Sequence, residues 1–245
     1  MILAAGMGSR LRPLTDYTPK PLIEVAGRPM IAFPLQLLRN AGIQDVVINL
    51  HHLGEQIRDT LGDGGRFGLR IHYSPEEPIL DSGGGIAAAR EHLGSGTFVI
   101  LNADTFIDVE LAEVIDFHRR HDALGTLLLR ADRDAVRRDD IGIDAGGRIR
   151  RFLGQGASNG VEPPGEPLRR CFYGGVMVFE PRFFDYLPLG IYSITRDVLP
   201  RVMAAGEPLY GYLHSGYWRV LDTPQDLEAG RQEIAARLHG KGEFR

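Results

Sequence analysis

Cysteine is almost absent from this chain of 245 residues, and long apolar runs are missing too. The single cysteine, Cys171, excludes a disulfide within the chain and is compatible with the cytoplasm, where thiols stay reduced. No apolar run approaches the roughly 20 residues that span a bilayer, and no segment has the pattern of a secretory leader. We therefore expect a cytoplasmic protein with no membrane partner.

A surplus of positive charge is also lacking. Lysine and arginine total 28 against 32 acidic residues, which gives a formal net charge of −4 at pH 7. Proteins that bind nucleic acid usually carry a basic excess, so this balance argues against a nucleic-acid partner. A composition of 43% hydrophobic and 24% charged residues is ordinary for a globular protein with a proper core.

Strand and helix patterns alternate along the first half of the chain. Residues 45–50, 97–101 and 125–130 have the apolar character of buried strands, whereas residues 53–61 and 109–121 have helical spacing. This order predicts a Rossmann-like α/β fold, with a mostly parallel sheet and helices on both of its faces.

The second half of the chain is less regular. Residues 141–152 predict a hairpin, and residues 172–179 predict a strand. Mixed charges at residues 133–140 and a Gly- and Pro-rich stretch at residues 154–167 are typical of exposed loops. Residues 227–238 predict a closing amphipathic helix.

A glycine-containing loop follows the first apolar strand, in the sequence LAAGMGSRLRPLT at residues 3–15. Gly6 and Gly8 allow backbone amides to approach an oxyanion closely. Arg10 adds a forked donor for phosphate oxygens, and Lys20 adds a second cation held between two prolines. The loop is neither a Walker A motif nor the Rossmann dinucleotide fingerprint. Its amides and two cations suit a nucleoside triphosphate.

Polar residues follow the predicted strand 97–101. Asp104 lies near the carboxyl end of this strand, where open α/β sheets bind their ligands. Considered alone, this aspartate is equally typical of a helix cap or a turn.

Two further glycine segments each allow two interpretations. Gly83 and Gly84 open a predicted helix, either as a tight turn or to let the backbone approach a flat group such as a nucleobase. Gly175 lies in the predicted strand 172–179, either as a bulge or as a small residue beside a ligand.

The N-terminal string, with the following PKPL at residues 19–22, resembles the signature G-x-G-x-R-L-x-P-L-T…P-K-P of the sugar-1-phosphate nucleotidylyltransferases. The similarity spans nearly the whole chain and is strongest over residues 1–22, 80–105 and 217–227. It is nearest to the N-acetylmuramate-1-phosphate uridylyltransferase and mannose-1-phosphate guanylyltransferase branches.

The resemblance implies that an NTP and a sugar 1-phosphate react to give an NDP-sugar and pyrophosphate, with Mg²⁺ as cofactor. It also implies a role in NDP-sugar biosynthesis for cell envelope polysaccharide. Residues 1–245 would be a single nucleotidyltransferase domain, in which residues 1–130 are the nucleotide-binding part and residues 131–245 the sugar-binding part.

Matching the family's motifs residue by residue implies four groups of site residues. The catalytic group is Arg10, Lys20 and Asp104. The nucleotide-binding group is Leu3, Ala5, Gly6, Gly8, Ser9, Arg10, Gly83 and Gly84. The group that binds the sugar phosphate is Asn102, Gly142 and Gly175. The metal ligands are Asp104 and Asp222.

The assignment of Asp222 depends on a departure from the family's pattern W-x-D-[VI]-G-T-P. In this chain Trp218 and Thr223 align with that pattern, but Val220 stands at the usual metal-binding aspartate. Valine offers no oxygen to Mg²⁺. Asp222 either turns toward the same metal or caps the helix that begins after Pro224.

Two other functions remain open at this stage. The chain could be a regulatory homologue that binds a nucleotide or sugar phosphate without turnover, or a cytidylyltransferase for a non-sugar phosphate such as phosphocholine. The sequence identifies neither the nucleobase nor the sugar, and it is compatible with a homo-oligomer.

Overall fold

The computed structural model describes residues 1–131, 141–152, 155–156 and 167–240. The predicted charged loop at residues 133–140 and most of the loop at 154–167 lie outside these residues. The strands are β1 Ile2–Leu3, β2 Glu24–Val25, β3 Arg28–Pro29, β4 Asp45–Leu50, β5 Arg70–Pro75, β6 Phe98–Asn102, β7 Thr105–Ile107, β8 Gly125–Arg130, β9 Ile141–Ile143, β10 Ile149–Phe152, β11 Gln155–Gly156, β12 Arg169–Phe179, β13 Leu209–Leu213 and β14 Trp218–Val220. The α-helices are α1 Ala32–Asn40, α2 Gly54–Leu61, α3 Asp81–Ala88, α4 Arg90–Leu93, α5 Leu111–Arg120, α6 Leu199–Ala204 and α7 Pro224–Gly240.

The chain divides into two compact units, each assembled from separate stretches. Unit one contains Met1, Ile79–Leu101 and Val109–Gly216, and unit two contains Ile2–Pro78, Asn102–Asp108 and Tyr217–Arg245. The predicted division at residue 130 falls inside unit one, and the single domain over the whole chain stays a prediction.

Unit two is built on a parallel sheet. β1 pairs with β4, and β4 pairs with β5 along its whole length. All residues of β4 except Asp45 are buried, because parallel strands are covered on both faces. The predicted strand at residues 45–50 is therefore confirmed.

A second set of contacts in unit two joins segments that are far apart in sequence. β7 pairs antiparallel with β14, with Val220 opposite Thr105. Phe106 of β7 meets Phe33 of α1 edge to face, with ring centroids 4.8 Å apart. The surrounding core also takes buried residues from the N-terminal segments, from the link between β14 and α7, and from α7 itself: Leu11, Ile23, Val25, Met30, Leu221, Leu227 and Ile234. This core fixes the segments that carry the charged residues described below.

Unit one is organised around the long strand β12. β12 pairs antiparallel with β6, β8 and β9, while β13 runs parallel to β8. The predicted hairpin at residues 141–152 is present as β9 and β10. Cys171 is buried in β12, and burial raises the pKa of its thiol to about 11, as expected of a structural rather than a reactive cysteine.

The helices confirm the α/β class and refine the predicted boundaries. Pro34 lies in the first turn of α1, where the missing N–H breaks no helical hydrogen bond. Gly83 and Gly84 lie inside α3 rather than before it. None of the helices in the described ranges is long and apolar enough to cross a membrane.

Candidate active site

Four charged side chains meet in unit two. The Nζ of Lys20 donates to Oδ2 of Asp104 at 2.6 Å and to Oδ1 of Asp222 at 2.8 Å. The guanidinium of Arg10 pairs with the other carboxylate oxygen of Asp222. The structure thus brings together the predicted catalytic residues Arg10, Lys20 and Asp104 and the predicted metal ligand Asp222.

The two cations differ in their exposure to solvent. The Lys20 side chain is 11% exposed, whereas the Arg10 side chain is 69% exposed. A largely buried ammonium between two carboxylates is held in one position, whereas an exposed guanidinium can move to meet an incoming anion. Lys20 is therefore the fixed cation of the site and Arg10 the adaptable one.

The position of Lys20 follows from the two prolines that flank it. Pro19 is extended, and residues Lys20–Leu22 form a 3₁₀ turn in which the Ile23 N–H donates to the Lys20 carbonyl at 3.1 Å. Each proline ring fixes its own φ, and Pro21 also restricts the residue before it. The Pro-Lys-Pro string therefore limits the backbone freedom of the buried cation.

The ladder of β7 and β14 brings the two carboxylates together. Asp104 precedes β7 and Asp222 follows β14, and the Leu221 N–H donates to the Asp104 carbonyl at 2.9 Å. Val220 lies within β14, opposite Thr105. The carboxylate that faces Lys20 beside Asp104 therefore comes from two residues beyond the valine, after the strand has ended.

Asp222 does not cap α7, because two of its neighbours do. The Asp226 N–H donates to Thr223 Oγ1 at 3.1 Å, and the Thr223 N–H donates to Asp226 Oδ2 at 3.2 Å. These reciprocal bonds form a capping box with aspartate in place of glutamate. The cap interpretation of Asp222 is wrong, and its metal role stays a prediction.

The glycine loop supplies backbone donors beside this cluster. Gly8 has a left-handed φ of 61°, and a β-carbon there would lie 2.8 Å from Cγ2 of Thr15 and 3.1 Å from Cβ of Lys20. Gly6 is exposed, and a β-carbon added there would have nothing within 4 Å. In the described part of the chain, the N–H groups of residues 6–9 have no acceptor. Unpaired amides beside two cations are the donors that an anion site requires, and anion binding by this loop stays a prediction.

The other predicted nucleotide-binding residues of this segment lie along the same stretch. Leu3 ends β1, Ala5 is buried, and Ser9 begins a 3₁₀ turn that contains Arg10. Asn102 ends β6 and also belongs to unit two.

Sequence reasoning missed a buried polar pair under the loop. The Ala4 N–H donates to Asn49 Oδ1 at 2.8 Å, and Asn49 Nδ2 donates to Glu76 Oε1 at 2.8 Å. Both side chains are buried, so their hydrogen bonds fix the start of the glycine loop. The signal was available, because Asn49 lies near the carboxyl end of β4 and Glu76 directly follows β5.

Gly83 and Gly84 belong to unit one, where the chain itself packs against them. A β-carbon on Gly83 would lie 2.4 Å from the Tyr192 ring, and one on Gly84 would lie 2.1 Å from the Gly190 carbonyl oxygen. The Gly83 N–H also donates to the Tyr192 carbonyl at 2.9 Å. Close backbone packing therefore requires glycine at both positions, and contact with a nucleobase stays a prediction.

Gly142 and Gly175 also belong to unit one. Gly142 lies in β9, where a β-carbon would come within 2.9 Å of the Leu168 side chain. Gly175 has a φ of 93° and lies where the register between β12 and β8 shifts, so it forms a strand bulge. Close packing accounts for the glycine at 142, and the bulge accounts for the glycine at 175. Their contacts with the sugar phosphate stay predictions.

The two carboxylates have the chemistry of a magnesium site. Mg²⁺ prefers oxygen ligands and is usually bound by one or two carboxylates, with waters and substrate phosphates completing the shell. Asp104 and Asp222 both reach one ammonium, so their oxygens converge on a single cation position. No group of three or more metal-binding side chains occurs in the described residues, and Mg²⁺ binding by Asp104 and Asp222 stays a prediction.

Comparison with known proteins identifies relatives of this chain. A 34% identical mannose-1-phosphate guanylyltransferase from Mycobacterium tuberculosis aligns with 96% of this chain and 64% of its own length. A UTP--glucose-1-phosphate uridylyltransferase from Synechocystis is 35% identical over 86% of this chain and 56% of its own length. The chain thus spans less than two thirds of these relatives. It spans 92% of a 35% identical N-acetylmuramate alpha-1-phosphate uridylyltransferase from Neisseria meningitidis, aligned over 91% of the chain.

Solved structures share the fold. A Bacillus anthracis protein, crystallised with sucrose, superposes with a TM-score of 0.81 at 23% identity, over 96% of this chain and 94% of its own. HddC from Yersinia pseudotuberculosis gives a TM-score of 0.76 at 19% identity, over 95% and 97%. The family model described as nucleotidyl transferase matches residues 1–237, and the chain belongs to that family.

Proposed function

We propose that this protein transfers a nucleotidyl group from an NTP to a sugar 1-phosphate, giving an NDP-sugar and pyrophosphate. The observation that carries the proposal is Lys20 held between Asp104 and Asp222, beside a loop with unpaired amides. The activities named for the relatives support a sugar 1-phosphate as the acceptor.

The reaction needs positioning and charge stabilisation more than a covalent intermediate. A phosphate oxygen of the sugar 1-phosphate attacks the α-phosphorus in line, the P–O bond to the β-phosphate breaks, and pyrophosphate leaves with the electron pair. The loop amides and Arg10 would hold the β- and γ-phosphates. Lys20 would neutralise the charge that develops at the reacting phosphoryl group.

Asp104 and Asp222 would hold Mg²⁺ in this proposal. When bound, the metal neutralises phosphate oxygens and orients the triphosphate. The same carboxylates orient the Lys20 ammonium, which has three donors and can turn toward a phosphate oxygen. Asn102, Gly142 and Gly175 would contact the sugar phosphate, and Gly83 and Gly84 would contact the base. The product would supply cell envelope polysaccharide from the cytoplasm.

A direct assay separates this function from the alternatives. Purified protein with Mg²⁺ is mixed with each common NTP and with glucose, mannose or N-acetylmuramate 1-phosphate, or with phosphocholine, and pyrophosphate release is measured. We expect turnover with at least one pair of an NTP and a sugar 1-phosphate. Arg119→Ala, at an exposed position on α5, serves as a control that keeps this activity.

Other outcomes would identify a different function. Nucleotide binding without turnover on any pair would mean a regulatory homologue. Turnover confined to CTP and phosphocholine would mean a cytidylyltransferase for a non-sugar phosphate.

A further inference from the structure

Unit two contains a second cationic cavity, formed by residues that the proposed reaction does not use. It is open to solvent, has a volume of about 370 Å³, and lies among β3, α1 and the turn at Gly65–Phe67. This volume is within the range of small-molecule sites, about 300–1,000 Å³. Its lining residues are Gly27, Arg28, Pro29, Ala32, Leu35, Gln36, Arg39, Arg66 and Phe67.

The charge of the lining has one sign. Arg28, Arg39 and Arg66 come from three different elements, and no carboxylate is among the described residues that line the cavity. The fold therefore concentrates three positive charges around one opening in a chain whose net charge is −4.

Uncharged groups orient two of these guanidinium groups. Arg28 Nη1 donates to Gln36 Oε1 at 3.3 Å, and Arg66 donates to the Thr60 carbonyl. The guanidinium of Arg66 also lies over the Phe67 ring, 4.6 Å from its centroid. These contacts restrict the side chains but leave their positive charge in place. Guanidinium groups positioned in this way suit the oxygens of phosphate groups.

We propose that this cavity is a second binding site, for a polyphosphate anion. Three guanidinium groups match a ligand with several phosphate groups better than a single phosphate. Two sources share this chemistry, an inorganic polyphosphate and a nucleoside polyphosphate. The aromatic and aliphatic lining, Phe67 with Pro29, Ala32 and Leu35, gives the nucleoside form an additional apolar contact.

The test measures binding rather than turnover, so it does not depend on the proposed function. Isothermal titration calorimetry is run with inorganic tripolyphosphate on the wild type, on Arg10→Ala/Lys20→Ala and on Arg39→Ala/Arg66→Ala. We expect Arg10→Ala/Lys20→Ala to keep one tripolyphosphate site. In Arg39→Ala/Arg66→Ala the affinity of that site should fall at least about tenfold, because charge-assisted hydrogen bonds are removed. Arg58→Ala, on α2 of the same unit and outside the cavity, is the matched control that keeps it.

Further arms identify the source and keep the proposal open to refutation. Circular dichroism shows whether each variant is folded. If Arg39→Ala/Arg66→Ala is unfolded, the single variants Arg39→Gln and Arg66→Gln are measured in its place. Repeating the titration with a nucleoside triphosphate on Phe67→Ala in the Arg10→Ala/Lys20→Ala background distinguishes the two ligands, because only nucleoside binding should weaken. Absence of tripolyphosphate binding to Arg10→Ala/Lys20→Ala, or binding unchanged by the Arg39 and Arg66 substitutions, would overturn the proposal.

Discussion

Glycines at residues 6 and 8 and glycines at residues 83 and 84 stand in similar sequence surroundings but in different structural ones. Around Gly6 there is open space, and the N–H groups of residues 6–9 find no acceptor in the described chain. At Gly83 and Gly84 the space is filled by Tyr192 and Gly190, and the Gly83 N–H is bonded to the Tyr192 carbonyl. The first segment leaves space and backbone amides free, whereas the second allows two segments of the chain to pack closely.

The strongest test concerns the cation beside the open loop. We expect Lys20→Ala to lower turnover by about 10²–10³-fold, as removal of one preorganised electrostatic donor does. Steady-state assays give the rate, and thermal unfolding checks the fold. If the folded variant keeps more than about a tenth of wild-type turnover, the role assigned to Lys20 is wrong.

The next test concerns the two proposed metal ligands. Removal of a group that only orients a metal ligand lowers metal affinity by about 10–100-fold. Asp222→Ala removes a proposed ligand itself, so it should raise the Mg²⁺ requirement at least as much. Asp104→Asn should lose both the activity and its Mg²⁺ dependence. Mg²⁺ titrations of turnover measure both effects, and full activity in excess chelator would contradict the mechanism.

A restoring variant sharpens this test. Val220→Asp combined with Asp222→Gly reinstates the family's usual pattern and should recover much of the activity lost in Asp222→Ala. No recovery, together with an unchanged Mg²⁺ requirement in Asp222→Ala, would show that Asp222 pairs with Lys20 and Arg10 without binding metal.

Alanine substitutions in the two glycine segments should change the free energy of unfolding by different amounts. Gly84→Ala places a β-carbon 2.1 Å from the Gly190 oxygen, so the backbone must shift, at a cost of about 1–3 kcal/mol. Gly6→Ala meets nothing and should change the free energy of unfolding by less than about 0.5 kcal/mol. Urea unfolding of the pair measures the difference, and equal values would show that the packing difference has no energetic effect.

A smaller loss of stability than that of Gly84→Ala is expected at the cap of α7. Thr223→Ala removes the capping box and should cost about 0.5–2 kcal/mol of stability, while the Mg²⁺ requirement stays the same. Unfolding and Mg²⁺ titrations on one preparation measure both. A change in the Mg²⁺ requirement would mean that the cap also positions the neighbouring Asp222.

The sequence predicted local features better than contacts between distant segments. Strand β4 and the loop with Arg10 and Lys20 could be recognised because apolar patterning and phosphate chemistry are visible in short stretches. The position of Asp222 beside Asp104 depends on the pairing of β7 with β14, whose strands are more than a hundred residues apart. The cap itself was visible locally, since Thr223 and Asp226 have capping-box spacing.

The packing around Gly83 and Gly84 was not readable from the sequence for the same reason. Tyr192 and Gly190 approach from about a hundred residues away, and no local pattern announces their contact. The hydrogen bond between Asn49 and Glu76 was not predicted, because it depends on the pairing of β4 with β5 and no local pattern indicates it.

The charges of Arg10, Lys20, Asp104 and Asp222 sum to zero, and each of the two carboxylates is in contact with a cation. Because the charges balance only when all four charged groups are present, a change at one position affects the other three. Loss of Lys20 alone removes the cation that both carboxylates contact, and loss of Asp222 alone removes the carboxylate that pairs with Arg10. A lineage that abandons this chemistry should therefore change these positions in oppositely charged pairs, and one that keeps it should keep a carboxylate beside Lys20, from position 220 or from position 222.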